Sequence, residues 1–227
     1  MTTAMPFTWR AQRLGRTVAA LALVLISGCD ALRPAIAPHP SFFSLAGARK
    51  PGPGVPRAPA TALTLVVSSP HAAAGFDSQH MMYVRQASQL EYYAHNEWID
   101  TPARMLAPLI VAAVEQSGAF RAVVQTPSTV AGDIRLDTEV MRLQHEFLST
   151  PSRVRFTLRA YLVDNATRRV LASHEFEAVA DASSDDPYGG VMAAHEAVRT
   201  VLEDLASFCA ETARSATELS RTRPGQG

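Results

Sequence analysis

Three long segments in the second half of the chain alternate apolar and polar residues with the two-residue period of a half-buried β-strand. They cover residues 134–147, 153–164 and 170–180. In the first segment the apolar phase shifts after Val140, which predicts a β-bulge. Turn-forming residues at 164–168 join the second segment to the third. The three segments are therefore predicted to form an antiparallel meander with one solvated face.

Shorter apolar runs predict four more strands, at 63–67, 81–85, 89–94 and 120–124. Two other segments have the 3.6-residue apolar spacing of amphipathic helices, one from Pro102 to Ser117 and one from Asp186 to about Thr212. Pro102 suits a first helical position, and Gly118 suits a helix end. We therefore predict an α+β fold in which an antiparallel β-sheet packs against two amphipathic helices, in the order β-β-β-α-β-β-β-β-α.

The N-terminal segment has the pattern of a secretory signal that ends in a lipidation site. Three arginines and no acidic residue precede an apolar run at 18–26. This run is far shorter than the roughly 20 residues of a membrane-spanning helix, and its flanks describe a signal peptide. The ending Ile26-Ser27-Gly28-Cys29 resembles a bacterial lipobox. Residues 1–28 are thus predicted to be a lipoprotein signal peptide and Cys29 the acylated residue, with a soluble exported protein as the alternative.

Three regions are predicted after the signal peptide. Residues 29–60 contain seven of the fifteen prolines and are interpreted as a tether that begins at the lipidated cysteine. Two adjacent phenylalanines at 41–45 indicate a short edge strand or docked segment within this tether. Residues 61–212 form the predicted domain, and the polar residues 213–227 are predicted to be a flexible tail.

Composition narrows the function classes. Without residues 1–28 the chain has 199 residues (227 − 28), with 18 basic residues (21 − 3) and 21 acidic residues. It has no basic stripe, so nucleic acid is not an expected partner. If Cys29 is acylated, Cys209 has no cysteine partner and no internal disulfide can form. Cys209 is interpreted as a small buried hydrophobe, with a reactive thiol as the alternative.

Motifs for catalysis or cofactor binding are not apparent. The chain has no phosphate-binding glycine loop, no HExxH and no CxxC, so no cofactor, metal site or catalytic residue is predicted. Gly189-Gly190 could bind an anion at a helix start but is interpreted as relieving crowding there. His145 and His174 fall on neighbouring predicted strands, yet a structural role is favoured over a metal site. Asp185-Asp186 is interpreted as a helix cap.

Large aromatic residues are concentrated just before the first helix. Tyr92, Tyr93 and Trp98 fall within a stretch of seventeen residues, 90–106. One interpretation is a junction in which Trp98 fastens a loop to the core. The other is a partner-contact surface formed by all three, because tyrosine and tryptophan often dominate interface energies.

The order and spacing of these features resemble those of the ABC-type transport auxiliary lipoproteins, the paraquat-inducible protein C-like family. The resemblance covers about residues 40–210. It rests on the lipobox followed by Phe42-Phe43-Ser44-Leu45, Leu63–Val67, Gly75-Phe76-Asp77, Tyr83, Tyr92-Tyr93, Trp98, Pro102, Met105-Leu106 and Gly118-Ala119-Phe120.

The resemblance implies a non-catalytic accessory subunit of an MCE-type ABC transport system that moves lipids between the membranes of the bacterial envelope. The implied partners are the MCE protein, the permease and ATPase complex, and a membrane reached through acyl chains such as palmitate; a homo-oligomer is left open. The family favours the periplasmic face of the outer membrane, whereas Asp30 resembles an inner-membrane retention signal. The alternative function is a lipid-anchored periplasmic binding module for a small apolar ligand held between sheet and helices.

Overall fold

A computed structural model describes residues 39–49, 58–59 and 61–222, without the side chains of 219–222. Cys29, the predicted signal peptide and most of the predicted tether lie outside the described residues.

Within the described residues the chain forms nine strands, two α-helices and one short 3-10 helix. The strands are β1 (Ser41–Phe43), β2 (Thr64–Val67), β3 (His71–Ala72), β4 (His80–Gln86), β5 (Gln89–Trp98), β6 (Ala122–Gln125), β7 (Ile134–Glu146), β8 (Arg153–Asp164) and β9 (Val170–Asp181). The helices are α1 (Pro102–Gln116) and α2 (Pro187–Thr222), and the 3-10 helix is Leu45–Ala48.

Strand β7 is the centre of one mixed sheet. On one side it pairs with β8 along its whole length, and β8 pairs in turn with β9. On its other side three short strands succeed one another: β2 at 134–136, β3 at 139–140 and β4 at 144–146. Strand β6 extends the sheet beyond β2, while β5 and then β1 extend it beyond β4.

The prediction of an antiparallel sheet is confirmed for the meander β7–β8–β9 and the hairpin β4–β5 but is wrong for the other pairs. β1 is parallel to β5, β2 to both β6 and β7, and β3 and β4 to β7. β2, β3 and β4 follow one another in the chain, and all three run in the same direction as β7. After the hairpin to β5, the chain passes through α1 and then adds β6 beside β2. An alternating apolar pattern identifies a strand but carries no information about its direction.

Both helices cover the same apolar face of the sheet. α2 contacts β8 and β9, α1 contacts β6 and β7, and the two helices contact each other. The predicted bulge is confirmed by a register shift between Val140 and Arg142. The strands β7 and β8 contribute most of the buried apolar side chains of the sheet: Ile134, Leu136, Val140, Leu143, Val154, Phe156, Leu158, Ala160 and Leu162.

The opposite face of the meander is a lattice of alternating charges. The Arg155 Nε atom lies 2.8 Å from Glu146 Oε1, and the same guanidinium also pairs with Glu177. Arg159 bridges Glu175, at 2.8 Å, and Glu139, at 3.8 Å. The predicted solvated face is therefore present, and neighbouring strands neutralise each other's charges on it.

The prediction that α2 ends near Thr212 and that a flexible tail begins at 213 is wrong for residues 213–222, which continue the helix. Ala213 is only 4% exposed and comes after Leu205 and Cys209 at intervals of four residues. Because the side chain of Ala213 is small and its neighbours in sequence are polar, this part of the apolar stripe was not recognised from the sequence. Residues 223–227 lie outside the described residues.

The docked segment at 41–45 is confirmed, since β1 pairs with β5 and Ser44 caps the 3-10 helix. This 3-10 helix, like β3, is too short to show a periodicity and was not predicted. It buries Leu45 and Ala48, and the His195 Nε2 atom of α2 lies 2.8 Å from the Ser44 carbonyl oxygen. No helix among the described residues combines the length and hydropathy needed to cross a membrane.

The packed extension of α2 can be tested at Ala213. We expect Ala213→Asp to lower the free energy of unfolding by about 1–3 kcal/mol, because it buries a polar group without a partner. The control Ser215→Asp lies on the exposed side of the same turn and should change it by less than about 0.5 kcal/mol. Urea unfolding measures both, and equal effects would mean that this turn does not pack as described.

Candidate functional site

The three aromatic residues predicted to form a partner surface lie at different depths. Tyr92 is 56% exposed, and its ring stacks on His80 with centroids 4.3 Å apart. Tyr93 is half-buried and contacts Tyr83, at 4.7 Å between centroids. Trp98 is 4% exposed and belongs to the core, as the alternative interpretation had it. Because Tyr92 and Tyr93 are neighbours on β5, not in a loop, they point to opposite faces, and of the three only Tyr92 is largely accessible to a partner.

A buried polar cluster links the sheet to the start of α2. His145 on β7 is its centre: the Tyr93 hydroxyl lies 3.0 Å from His145 Nδ1, and the Ser152 Oγ atom lies 2.8 Å from Nε2. The Ser152 backbone N–H donates to Asp185 Oδ1 at 3.1 Å. His145 and Ser152 are 4% and 1% exposed, so this pair is sealed inside the fold, whereas Asp185 lies at the surface. Each ring nitrogen of His145 has a partner.

The directions of the pKa shifts fit one arrangement of protons. Burial lowers the pKa of His145, which favours a neutral imidazole, although Asp185 and Asp186 partly oppose this shift. Burial raises the pKa of Tyr93, which keeps its phenol protonated as a donor. The Ser152 hydroxyl and then its backbone N–H lower the pKa of Asp185. We therefore assign the Nε2–H tautomer to His145, with Nδ1 accepting from Tyr93 and Nε2 donating to Ser152.

The glycine pair at the start of α2 lets the first turn of the helix approach this cluster closely. A Cβ atom on Gly190 would lie 2.5 Å from His145 Nδ1, and one on Gly189 would collide with the Ser184 carbonyl oxygen. Asp186 Oδ1 accepts from the Gly189 N–H at 2.7 Å, as a helix cap does. Relief of crowding by the glycines is confirmed, and capping is confirmed for Asp186, whereas Asp185 binds the Ser152 backbone N–H instead.

The Ser152–His145 contact resembles the nucleophile–base pair of acyl-transfer enzymes, but its surroundings differ from those of a catalytic site. The free space beside His145, lined also by Met81, Trp98 and Val154, is about 20 Å³. Small-molecule sites enclose roughly 300–1,000 Å³, so no substrate fits between the sheet and α2 here. The arrangement instead fastens β5, β7 and the β7–β8 turn to the first turn of α2.

The structure does not bring His145 and His174 together. His145 pairs in register with Val154, whereas His174 pairs with Ala160, six residues further along β8. His174 packs on Phe176 and Phe208. Among the described residues no three histidine, cysteine, aspartate or glutamate side chains are grouped as metal ligands would be.

Cys209 is fully buried in α2, and burial raises the pKa of its thiol to about 12. A thiol that does not ionise near neutral pH is a poor nucleophile. The interpretation as a small buried hydrophobe is confirmed.

Two features of the site were missed from the sequence. Ser152 was not singled out, and neither was a cluster in which the Tyr83 hydroxyl donates to Glu91 Oε2 at 2.9 Å while Arg85 Nη2 donates to that hydroxyl at 2.6 Å. Ser152 joins a partner on another element, and no local sequence pattern could have revealed that contact.

Known proteins resemble this chain in sequence and in fold. The family model described as ABC-type transport auxiliary lipoprotein component matches residues 43–206. Protein XCC0632 from Xanthomonas campestris has a crystal structure that matches with a TM-score of 0.68 and 23% identity, over 78% of this chain and 99% of that one. The crystal structure of an uncharacterized protein matches with a TM-score of 0.58 and 14% identity, over 76% and 99%. No curated protein matches significantly. At these identities the two structures show a shared fold.

The contact between Gly190 and His145 can be measured by a double-mutant cycle. Gly190→Ala should lower the free energy of unfolding by about 1–3 kcal/mol, because the added methyl group overpacks the imidazole. In a His145→Ala background the same change should be neutral or stabilising by up to about 1 kcal/mol, since alanine favours the helix. Equal effects in both backgrounds would contradict the close approach.

The lowered pKa of His145 predicts a pH dependence of stability. Its folded-state pKa lies below the ordinary value of 6.5, so the unfolded chain binds more protons as the pH falls below that value. The stabilising contribution is fully present above pH 6.5 and is lost on acidification. Urea unfolding between pH 8 and pH 5 should show this decrease in the wild type, and His145→Gln should remove part of it. The exposed His95→Gln control should retain the wild-type slope, and an unchanged slope in His145→Gln would contradict the assignment.

Proposed function

From the premise that this chain belongs to the family of ABC-type transport auxiliary lipoprotein components, we propose that it is a non-catalytic, lipid-anchored subunit of an MCE-type ABC transport system. In this proposal it faces the periplasm and assists lipid movement across the cell envelope. Its partners are the MCE protein and the permease and ATPase complex.

The observation that carries the proposal is the extent of the family match. Residues 43–206 run from the end of β1 into the second half of α2, so the match spans nearly the whole described fold. The sealed Ser152–His145 pair supports a role without catalysis, because it has no room for a substrate beside it. A domain that presents surfaces suits a subunit that acts by contact.

Anchoring through Cys29 is the part of the proposal that sets where the domain works. The lipobox resemblance supports acylation, and only eleven residues, 30–40, separate the cysteine from β1. Fully extended, they span at most about 36–40 Å. The domain would therefore remain close to the membrane that holds its lipid. The family favours the outer membrane, and Asp30 keeps the inner membrane as the second choice.

A second candidate function is a lipid-anchored binding module for a small apolar ligand. A ligand was expected between sheet and helices, but the space there beside His145 is only about 20 Å³. The observation in its favour is a groove of about 540 Å³ between the end of α1 and the last turns of α2, lined by small residues such as Ala62, Gly118, Ala210 and Ala213. A purified protein that carries a co-purified lipid in this groove would favour the module.

Lipidation and partnership can be tested in the same cells. The wild-type chain should carry acyl chains on Cys29, detected by the mass of its N-terminal peptide, and should fractionate with membranes. Cys29→Ala should lose both properties, because the thiol is the acylated atom, whereas the control Cys209→Ala should keep them. Tagged wild-type protein should also co-purify the MCE protein and the ATPase.

The two parts of this proposal can fail separately. A membrane-bound wild type without acyl chains would refute the anchor. An acylated protein that captures none of the transport proteins under mild solubilisation would refute the partnership.

A further inference from the structure

Four large apolar side chains are exposed at the β1–β5 end of the sheet. Phe42 is 56% exposed, Leu90 42%, Tyr92 56% and Ile99 59%. We call them the outer patch. Isolated exposed apolar residues are common on proteins, so these four indicate a contact surface only if they share one face.

The strand register places the outer patch on the face opposite the helices. Phe42 pairs with Glu97, and Ile99 lies two residues beyond Glu97 on the same side, with its N–H donating to the Phe43 carbonyl at 2.7 Å. On the other side of Glu97 lies its register partner His80, on which Tyr92 stacks. The register of β5 shifts between Tyr92 and Glu97, so even-numbered Tyr92 and odd-numbered Glu97 share this face. Leu90 precedes Tyr92 by two residues and so shares its face.

The alternate residues of the same strands confirm this division. Phe43 packs against the core, and Met81 and Trp98 are both 4% exposed. β1 and β5 therefore bury one apolar set under the helices and present a second one to the outside. A soluble edge of a sheet usually presents polar residues on its second face.

The outer patch differs from the rest of its face. On β7, β8 and β9 that face carries the lattice in which Arg155 and Arg159 pair with glutamates. Among the described residues that pair in register across the outer patch, the charged one is Glu97 and none is an arginine or a lysine. An anionic partner is therefore not favoured there, whereas an uncharged apolar environment is.

The position of the predicted lipid anchor indicates what that environment is. β1, which contributes Phe42, begins only twelve residues after Cys29. The acyl chains would thus hold this end of the sheet within reach of the bilayer surface at all times. Tyrosine and other aromatic side chains are favoured in the interfacial region of a bilayer, where a ring is partly buried and its polar group stays hydrated.

We propose that the outer patch rests on the surface of the membrane that holds the lipid anchor, with Phe42 and Ile99 inserted between neutral headgroups and Tyr92 at their level. This inference rests on the proposed acylation of Cys29. It gives the domain one orientation on the membrane: the sheet face of β1 and β5 faces the lipid, and the side of the sheet that carries α1 and α2 is turned away from it.

Site-directed spin labels on the mature lipoprotein test this orientation. Single cysteines would be introduced as Tyr92→Cys and Ile99→Cys, with Val170→Cys as the matched control. Val170 is 58% exposed but lies at the start of β9, which among the described strands pairs only with β8. Acylated Cys29 has no free thiol, and buried Cys209 has a raised pKa, so neither native cysteine should take the label.

The measurement is the collision rate of each label with a water-soluble nickel complex and with oxygen, in phosphatidylcholine vesicles. At positions 92 and 99 we expect collisions with nickel to fall several-fold below those at position 170, and collisions with oxygen to rise. Labels at 92 and 99 that are as accessible to nickel as the label at 170 would overturn the proposal. Dipolar broadening at 99 that disappears on dilution with unlabelled protein would place a second copy on the outer patch and would also overturn it.

The mass of the N-terminal peptide separates this inference from the proposed function. An unacylated Cys29 would remove the anchor and with it the premise of the orientation. An acylated Cys29 combined with exposed labels would leave the anchor intact and overturn the orientation alone.

Discussion

Strand β7 is the constraint on which the remaining structure depends. Its thirteen residues pair with β8 on one side and with β2, β3 and β4 in succession on the other. A strand that is hydrogen-bonded on both edges leaves few backbone groups without partners, so its position determines that of its neighbours. Three strands of two to seven residues, each too short to form a stable sheet alone, are held in line because one long strand supplies their partners.

The bulge in β7 determines which side chains meet α2. Before it, the even-numbered residues from Ile134 to Val140 face the helices; after it, Leu143 and His145 do so. Without this change of phase, His145 would point into the charged lattice and Glu146 would point into the core. The bulge therefore brings an imidazole against the first turn of α2, where only a glycine, Gly190, leaves room for it. The close approach and the hydrogen bonds of His145 are consequences of one extra residue.

The sequence predicted those parts of the fold that depend on local patterns. The bounds of β8, the bulge after Val140, the start of α1 at Pro102 and the capping role of Asp186 were all predictable, because each depends on neighbouring residues. The directions of β2, β3 and β4 were not, since they depend on pairing with a strand 60 or more residues away. The contact of Tyr93 with His145 was missed for the same reason. The last turns of α2 were missed because Ala213, although buried, is too small to produce a clear apolar signal.

β1 and the 3-10 helix, the first described elements after the predicted lipid anchor, are firmly attached to the domain. β1 has only three residues, and a parallel pair of that length would contribute little stability alone. The 3-10 helix next to β1 holds it in place, because Leu45 and Ala48 are buried. His195 of α2 also approaches the Ser44 carbonyl, over a glycine, Gly47, whose missing side chain makes space for the ring. β1 therefore connects the edge of β5 to α2, which packs on the meander. Under the proposed acylation of Cys29, a force on the tether would act on the whole domain through these contacts, so such an anchor would orient the domain as well as retain it.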